Sequence, residues 1–166
     1  VPWETCTTLG KKFSFHYTDT FKIGRELVLL LLDVVSKGGN LALNIAPQPD
    51  GALPAPAVRS LRDLGAWLKI FGDGLYGTRI CAPYFSESLF YTRKEDDIYA
   101  FFAYEEIPSL PDQLTLSVTN TVRRVTCMRT NETVRFRQNG DAVTIFLENV
   151  PLGGAFYAEG FCITAD

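Results

Sequence analysis

The sequence predicts an α/β fold followed by an all-β fold, and three observations support this. Between residues 23 and 70, apolar residues recur at spacings of three and four on either side of one short apolar run. Helices that flank a buried strand in this way are typical of a parallel sheet. Beyond residue 74, short runs rich in β-branched and aromatic residues alternate with turn residues, which favours an antiparallel sandwich.

The first part contains two predicted helices and one predicted strand. A helix is expected from Ile23 to Lys37, because its apolar residues share one face and two glycines follow it. The mostly apolar run 40–46 predicts a buried strand. The prolines and glycine of 47–51 end this strand and predict a loop after it. A second amphipathic helix is expected from about Pro56 to Ile70.

The second part contains seven predicted strands separated by turn residues. They are expected at 89–91, 98–104, 114–118, 122–128, 133–136, 142–147 and 156–163. The change of pattern falls near residues 72–80, which predicts domains at 1–75 and 76–166. A complete (β/α)8 barrel needs roughly 250 residues. If the first part belongs to a barrel, it therefore supplies only the C-terminal end of one.

Composition excludes several function classes. The net charge of −3 and the lack of basic clusters argue against a nucleic-acid partner. The longest apolar run, 27–32, is far shorter than the roughly 20 residues that span a bilayer, and no leader segment is expected at the opening residues. One histidine and four widely spaced cysteines predict no metal site and buried free thiols. Residues 131–133 match a glycosylation acceptor triplet.

Five short segments occur in an order that is shared with a known family. They are 3–7 (WETCT), 14–17 (SFHY), 38–51 (GGNLALNIAPQPDG), 64–68 (LGAWL) and 72–79 (GDGLYGTR). In order and spacing they resemble the C-terminal part of the α-L-fucosidases of glycoside hydrolase family 29. The resemblance covers residues 3–79 by motif, and beyond residue 80 it rests on the expected β-sandwich.

This resemblance implies a fold and a reaction. The fold is the end of a (β/α)8-like barrel followed by a β-sandwich, and the reaction is retaining hydrolysis of α-L-fucosides by two carboxyl groups about 5–5.5 Å apart. The family's nucleophilic Asp lies upstream of the matched segments, so the missing N-terminal barrel part is an expected partner and this chain alone is expected to be inactive. Glu4 aligns with the general acid/base of several members. No cofactor is implied.

Substrate-binding residues are implied by the same alignment. Trp3 stands beside Glu4 as an apolar wall, and Phe15, His16 and Tyr17 align with an aromatic segment that faces the sugar. Phe15 and His16 stand where Trp and Gly are common, which puts substrate preference more in question than reaction class. Core packing for Phe15 and a loop position for His16 are the structural alternatives. Asn44 is expected to hydrogen-bond to the backbone rather than to substrate.

The alternative function is a non-catalytic carbohydrate-binding or scaffold fragment. Tyr84, Phe85, Phe90 and Tyr91 would then line a sugar platform, although strands of a β core explain the same residues. The fucosidase interpretation implies a fucosylated glycan as substrate, with neither nucleic acid nor membrane as partner. By resemblance it favours a secreted, periplasmic or lysosomal location over the cytoplasm.

Overall fold

A computed structural model of the chain describes residues 2–86 and 88–166. The described residues form two α-helices, a 3₁₀ turn at Gly72–Gly74 and ten strands. The helices are α1 (Gly24–Ser36) and α2 (Ala55–Phe71). The strands are β1 (Trp3–Thr8), β2 (Gly39–Asn44), β3 (Arg79–Ser86), β4 (Leu89–Lys94), β5 (Asp97–Ala103), β6 (Gln113–Ser117), β7 (Val122–Cys127), β8 (Phe136–Asn139), β9 (Ala142–Phe146) and β10 (Ala158–Ala165).

The first part is a parallel strand pair backed by the two helices. Strands β1 and β2 pair in parallel from Trp3 opposite Gly39 to Thr8 opposite Asn44. At the start of α1, the Ile23 backbone N–H donates to the Glu26 carboxylate at 2.8 Å, so one otherwise unpaired donor of the helix is satisfied. A β–α–β connection of this kind is the unit from which parallel barrels are built.

The second part is an antiparallel sandwich. Five strands pair in the order β3-β4-β5-β10-β7, and three pair in the order β6-β9-β8. Buried side chains from both sheets, among them Ala100, Val125, Val143, Ile145 and Phe161, form one hydrophobic core between them. The predicted fold class, an α/β segment followed by an antiparallel β-sandwich, is confirmed.

The five-stranded sheet is buried on its other face as well. There Phe90, Phe101 and Ala158 share a second core with Trp67 and Phe71 of helix α2. The indole N–H of Trp67 donates to the Ala158 carbonyl at 3.2 Å, which satisfies a buried donor within that core. Each large apolar side chain buried in this way contributes about 1.5–3 kcal/mol, so the helices and the sandwich stabilise each other.

Three details differ from the sequence predictions. Strands β1 and β3 were not predicted, because their exposed residues break the apolar alternation. The strand expected at 133–136 is wrong in position: it begins at Phe136, and Thr133 makes only an isolated bridge to Thr126. All four cysteines are free, but the expectation of burial holds only for Cys127: Cys6 is exposed on β1, and Cys81 and Cys162 are partly exposed.

Within the described ranges, neither helix is both long and apolar enough to cross a bilayer.

Candidate active-site segment

The C-terminal ends of β1 and β2 lie side by side, and the loop that leaves β1 covers them. In a parallel sheet such ends share one edge, and in (β/α)8 barrels this edge carries the active site. The loop, residues 9–23, connects β1 to α1. Its entry is bonded to β2, because Leu9 N–H donates to the Asn44 carbonyl at 2.9 Å, and its exit is bonded to its entry, because Lys22 N–H donates to the Leu9 carbonyl at 2.9 Å.

Side chains at the strand ends tie down the middle of the loop. The Asn44 amide donates to the Phe13 carbonyl at 3.0 Å and to Thr8 Oγ1 at 3.3 Å. Thr8 Oγ1 donates in turn to the Lys12 carbonyl at 3.1 Å, and Lys22 Nζ donates to the Thr8 carbonyl at 2.6 Å. The expectation that Asn44 satisfies backbone groups therefore agrees with its contacts. Sequence reasoning missed Thr8 and Lys22, since neither belongs to a motif.

Asp19 braces the outer part of the same loop. Its Oδ1 accepts the backbone N–H groups of Lys11 at 2.9 Å and of Thr20 at 2.8 Å. The Lys11 N–H bond, with help from Thr20 and the charge of His16, lowers the pKa of the Asp19 carboxyl below its usual value, because these donors favour the ionised form. The ionised Asp19 carboxylate thus stabilises the loop through these two hydrogen bonds.

Phe15, His16 and Tyr17 come together on this loop. The Phe15 and Tyr17 rings meet edge to face with centroids 4.9 Å apart. His16 Nδ1 lies 2.9 Å from Thr18 Oγ1. Tyr17 is 84% exposed and Phe15 is half-buried. The aromatic pair and the imidazole together present an apolar surface beside hydrogen-bonding groups.

Glu4 and Trp3 lie apart from that loop and on opposite faces of β1. Alternate residues of a strand face opposite sides. Trp3 faces the helices: its ring covers Gly39 and its indole N–H donates to the Lys37 carbonyl at 3.1 Å. Glu4 therefore faces away from the helices, where a barrel has its interior, and it is exposed. It precedes Thr8, the last residue of β1, by four residues, a distance of about 13 Å along the strand.

The aromatic residues of the alternative function do not form one platform. Phe90 and Tyr91 are 8% and 2% exposed and belong to the two cores, so the core explanation holds for both. Only Tyr84 and Phe85, on the edge strand β3, remain half-exposed. The Phe85 ring lies against Phe90, with centroids 5.0 Å apart.

Comparison with known proteins agrees with the motifs. Residues 1–73 match the family model described as alpha-L-fucosidase. The chain is 38% identical over 110 residues to a plasma alpha-L-fucosidase of Rattus norvegicus, and this match covers 60% of this chain and 24% of the relative. It is 35% identical over 108 residues to an alpha-L-fucosidase of Branchiostoma floridae, covering 59% of this chain and 23% of the relative. The chain thus spans about a quarter of the length of the curated relatives it matches.

The structural comparison extends the likeness over the β-sandwich. Alpha-L-fucosidase isoenzyme 1 from Paenibacillus thiaminolyticus superposes with a TM-score of 0.87 at 25% identity, and the match covers 100% of this chain and 40% of that protein. These matches confirm the resemblance to the α-L-fucosidase family, and the chain corresponds to a C-terminal part of its members.

Proposed function

We propose that this chain is the C-terminal segment of a retaining exo-glycosidase that hydrolyses α-L-fucosides by double displacement. The observation that carries the proposal is the family match over residues 1–73, which includes the strand pair and the loop 9–23. In this assignment residues 1–75 complete a barrel and residues 76–166 form its supporting sandwich. A second, upstream part of the enzyme supplies the nucleophilic carboxylate, and the substrate is a fucosylated glycan.

The loop 9–23 is the proposed substrate contact of this segment. Phe15 and Tyr17 would pack against the apolar face and methyl group of fucose, and His16 would bond a hydroxyl group. Support comes from their position at the C-terminal end of β1, where barrels bind substrate, and from the hydrogen bonds that hold the loop. Contact of Trp3 with substrate stays a prediction, and its packing on Gly39 supports a role in fixing β1 against α1.

Glu4 is the proposed general acid/base, and two features bear on it in opposite directions. Its side chain faces away from the helices, as a residue of a barrel interior must. Its position near the start of β1 places it about 13 Å before the strand end that carries catalytic groups. A carboxyl group of the upstream part is therefore the competing assignment, and kinetics of a Glu4 variant distinguish the two.

The experiment compares wild type and Glu4→Ala in the complete enzyme that contains this segment. Loss of an acid/base slows natural fucosides by about 10²–10⁴, whereas an activated aryl fucoside still forms the fucosyl-enzyme. Azide needs no base and should restore turnover, giving a fucosyl azide of retained configuration. Equal small losses for all substrates, with no azide effect, would move the role to the upstream part.

The 166-residue chain alone serves as the negative control. Because one member of the carboxylate pair lies outside it, the chain should not hydrolyse an aryl fucoside. Turnover by the chain alone would overturn the division of the site between two parts. If the complete protein also fails to hydrolyse any fucoside but binds fucosylated glycans, the carbohydrate-binding alternative replaces the enzyme.

We also propose a secretory location. The name of the rat relative assigns that protein to plasma, and the match to it covers 60% of this chain. Secretion of the native protein into the medium of cells that express it, measured with an antibody against the β-sandwich, is the test. Retention in the cytosol would contradict this location.

A further inference from the structure

We propose that Asn131 is a modification site, the acceptor of an N-linked oligosaccharide. Asn131, Glu132 and Thr133 form the one Asn-x-Ser/Thr triplet of the sequence. All three residues are exposed. The inference rests on the proposed secretory location, because the transferase and its oligosaccharide donor act in the secretory pathway.

The triplet lies in the turn between β7 and β8, and its backbone is held by the turn itself. Asn131 N–H donates to the Cys127 carbonyl at 2.8 Å, and Cys127 N–H donates to the Glu132 carbonyl at 2.9 Å. Thr133 then bridges to Thr126. Within the described part of the chain, the Asn131 side-chain amide makes no hydrogen bond. A sugar on that amide would therefore break no hydrogen bond among the described residues.

A simpler explanation accounts for the asparagine but not for the triplet. Asn131 has φ +59°, a left-handed conformation that asparagine adopts more readily than most residues. Glycine satisfies the same turn, and the turn places no demand on a hydroxyl group at residue 133. Variants at residues 131 and 133 can therefore separate the turn from the acceptor function.

The surroundings leave room for an oligosaccharide away from the proposed substrate loop. Asn131 and Thr133 line an open groove of about 320 Å³ together with Ile70 and Asp73. These two residues mark the C-terminal end of α2. In a βα unit the helix runs back along its strand, so this end lies opposite the strand ends that carry the loop 9–23.

The modification is a transfer from a lipid-pyrophosphate-linked oligosaccharide. Asn131 Nδ2 attacks C1 of the first sugar, and a C1–N bond forms as the C1–O bond to pyrophosphate breaks. The lipid pyrophosphate leaves with the bonding electron pair, and the amide gives up one proton. Nothing is oxidised or reduced, and the product carries a neutral glycosylated amide in place of the Asn131 amide.

The test expresses the whole chain behind a secretion signal in animal cells. A flexible tag with one acceptor triplet, placed after Asp166, reports that the chain has reached the transferase. Four proteins are compared: wild type, Asn131→Gly, Thr133→Ala and Thr133→Ser. Asn131→Gly keeps the left-handed turn, and Thr133→Ser keeps the acceptor pattern. Peptide N-glycosidase treatment followed by mass spectrometry reads each site, because release of the sugar converts Asn131 to Asp.

Wild type and Thr133→Ser should carry sugar at both Asn131 and the tag, whereas Asn131→Gly and Thr133→Ala should carry it at the tag alone. A wild-type chain that is modified at the tag and unmodified at Asn131 would overturn the proposal. Because the signal and tag are supplied, this result does not depend on whether the native protein is secreted. Failure of the secretory proposal is therefore seen separately, in the native cells.

Discussion

At the scale of single residues, Glu159 is a carboxylate with no solvent exposure, and it is paired with Arg129 and Tyr104. Arg129 Nε and Nη2 approach its Oε2 at 2.9 and 2.8 Å, and the Tyr104 hydroxyl donates to the same oxygen at 3.4 Å. Burial, together with the nearby Glu159 charge, raises the pKa of the Tyr104 phenol. The neutral phenol thus remains a donor across the ordinary pH range.

Removal of Arg129 should be costly because it leaves the Glu159 charge buried and unpaired. We expect Arg129→Met to lower the free energy of unfolding by about 3–5 kcal/mol, measured by urea denaturation. Arg135→Met is the matched control. Its ion pair with Glu148 is 64% and 46% exposed, and its guanidinium lies 4.0 Å from the centroid of the Phe146 ring, so the expected loss is about 0–2 kcal/mol. Equal losses in the two variants would show that burial does not govern the Arg129 pair.

A double variant tests the cause of that loss. With Arg129→Met and Glu159→Gln together, no charge is left unpaired in the core, and the Tyr104 hydroxyl keeps an acceptor. Most of the stability lost in Arg129→Met should return, because the cost arises from the orphaned charge rather than from the missing contact. A double variant as unstable as the single one would assign the loss to packing of the arginine stem instead.

At the scale of elements, one ionised carboxylate, that of Asp19, braces the outer part of the loop 9–23. The folded-state pKa of Asp19 is lowered, so its stabilising contribution is present above the unfolded pKa of about 3.9 and is lost as pH falls. We expect the amide protons of Lys11 and Thr20 to lose protection from hydrogen exchange below about pH 4. Nuclear magnetic resonance between pH 6 and 3 measures this, with intrinsic rates as the reference.

Two variants isolate the carboxylate. Asp19→Asn keeps an acceptor oxygen but cannot titrate, so protection of Lys11 and Thr20 should be weaker and independent of pH. Asp50→Asn is the control, since Asp50 also accepts a backbone N–H, from Ala52 at 3.0 Å, in the loop after β2. It should leave the pH dependence at Lys11 unchanged. An unchanged pH dependence in Asp19→Asn would assign the transition to another group.

The helices could be predicted because their signal is local. Apolar spacing and flanking glycines placed α1 and α2 within about one residue of their bounds. Strand β1 could not be predicted from its own residues, because its six residues are only partly buried and become a strand through pairing with β2, more than thirty residues away. The edge strand β3, which contains Pro83 and is almost wholly exposed, gave no alternation to recognise.

In the candidate site, too, features with a local sequence signal could be predicted and features that depend on distant residues could not. The motif that contains Phe15, His16 and Tyr17 identified the loop, but the side chains that fix it come from separate elements. Thr8 and Asn44 meet only because β1 and β2 are in register at their last residues. Strand alternation, once β1 is recognised, also separates Trp3 from Glu4, two neighbours that the sequence analysis placed in one site.

At the scale of the whole molecule, the chain has one covered and one open side. The five-stranded sheet is packed on both faces, by the three-stranded sheet and by the helices. Among the residues that the structure describes, none covers in this way the face of β1 and β2 that turns away from the helices, and this face carries the exposed residues Glu4, Cys6 and Asn40. If the upstream part completes a barrel, its strands must cover this face, since all-parallel sheets occur with both faces packed.

The reactivity of the Cys6 thiol measures whether the upstream part covers this face of β1. In the isolated chain Cys6 is exposed and should react rapidly with iodoacetamide at pH 8. Burial raises the pKa of the Cys162 thiol to about 11, so Cys162 should react slowly under the same conditions. In the complete enzyme Cys6 should become at least tenfold slower, while half-buried Cys81 on β3 should keep its rate. Pulsed labelling with peptide mass spectrometry measures all three sites. A Cys6 that reacts equally fast in both proteins would show that the upstream part does not close over β1, and the divided barrel would have to be abandoned.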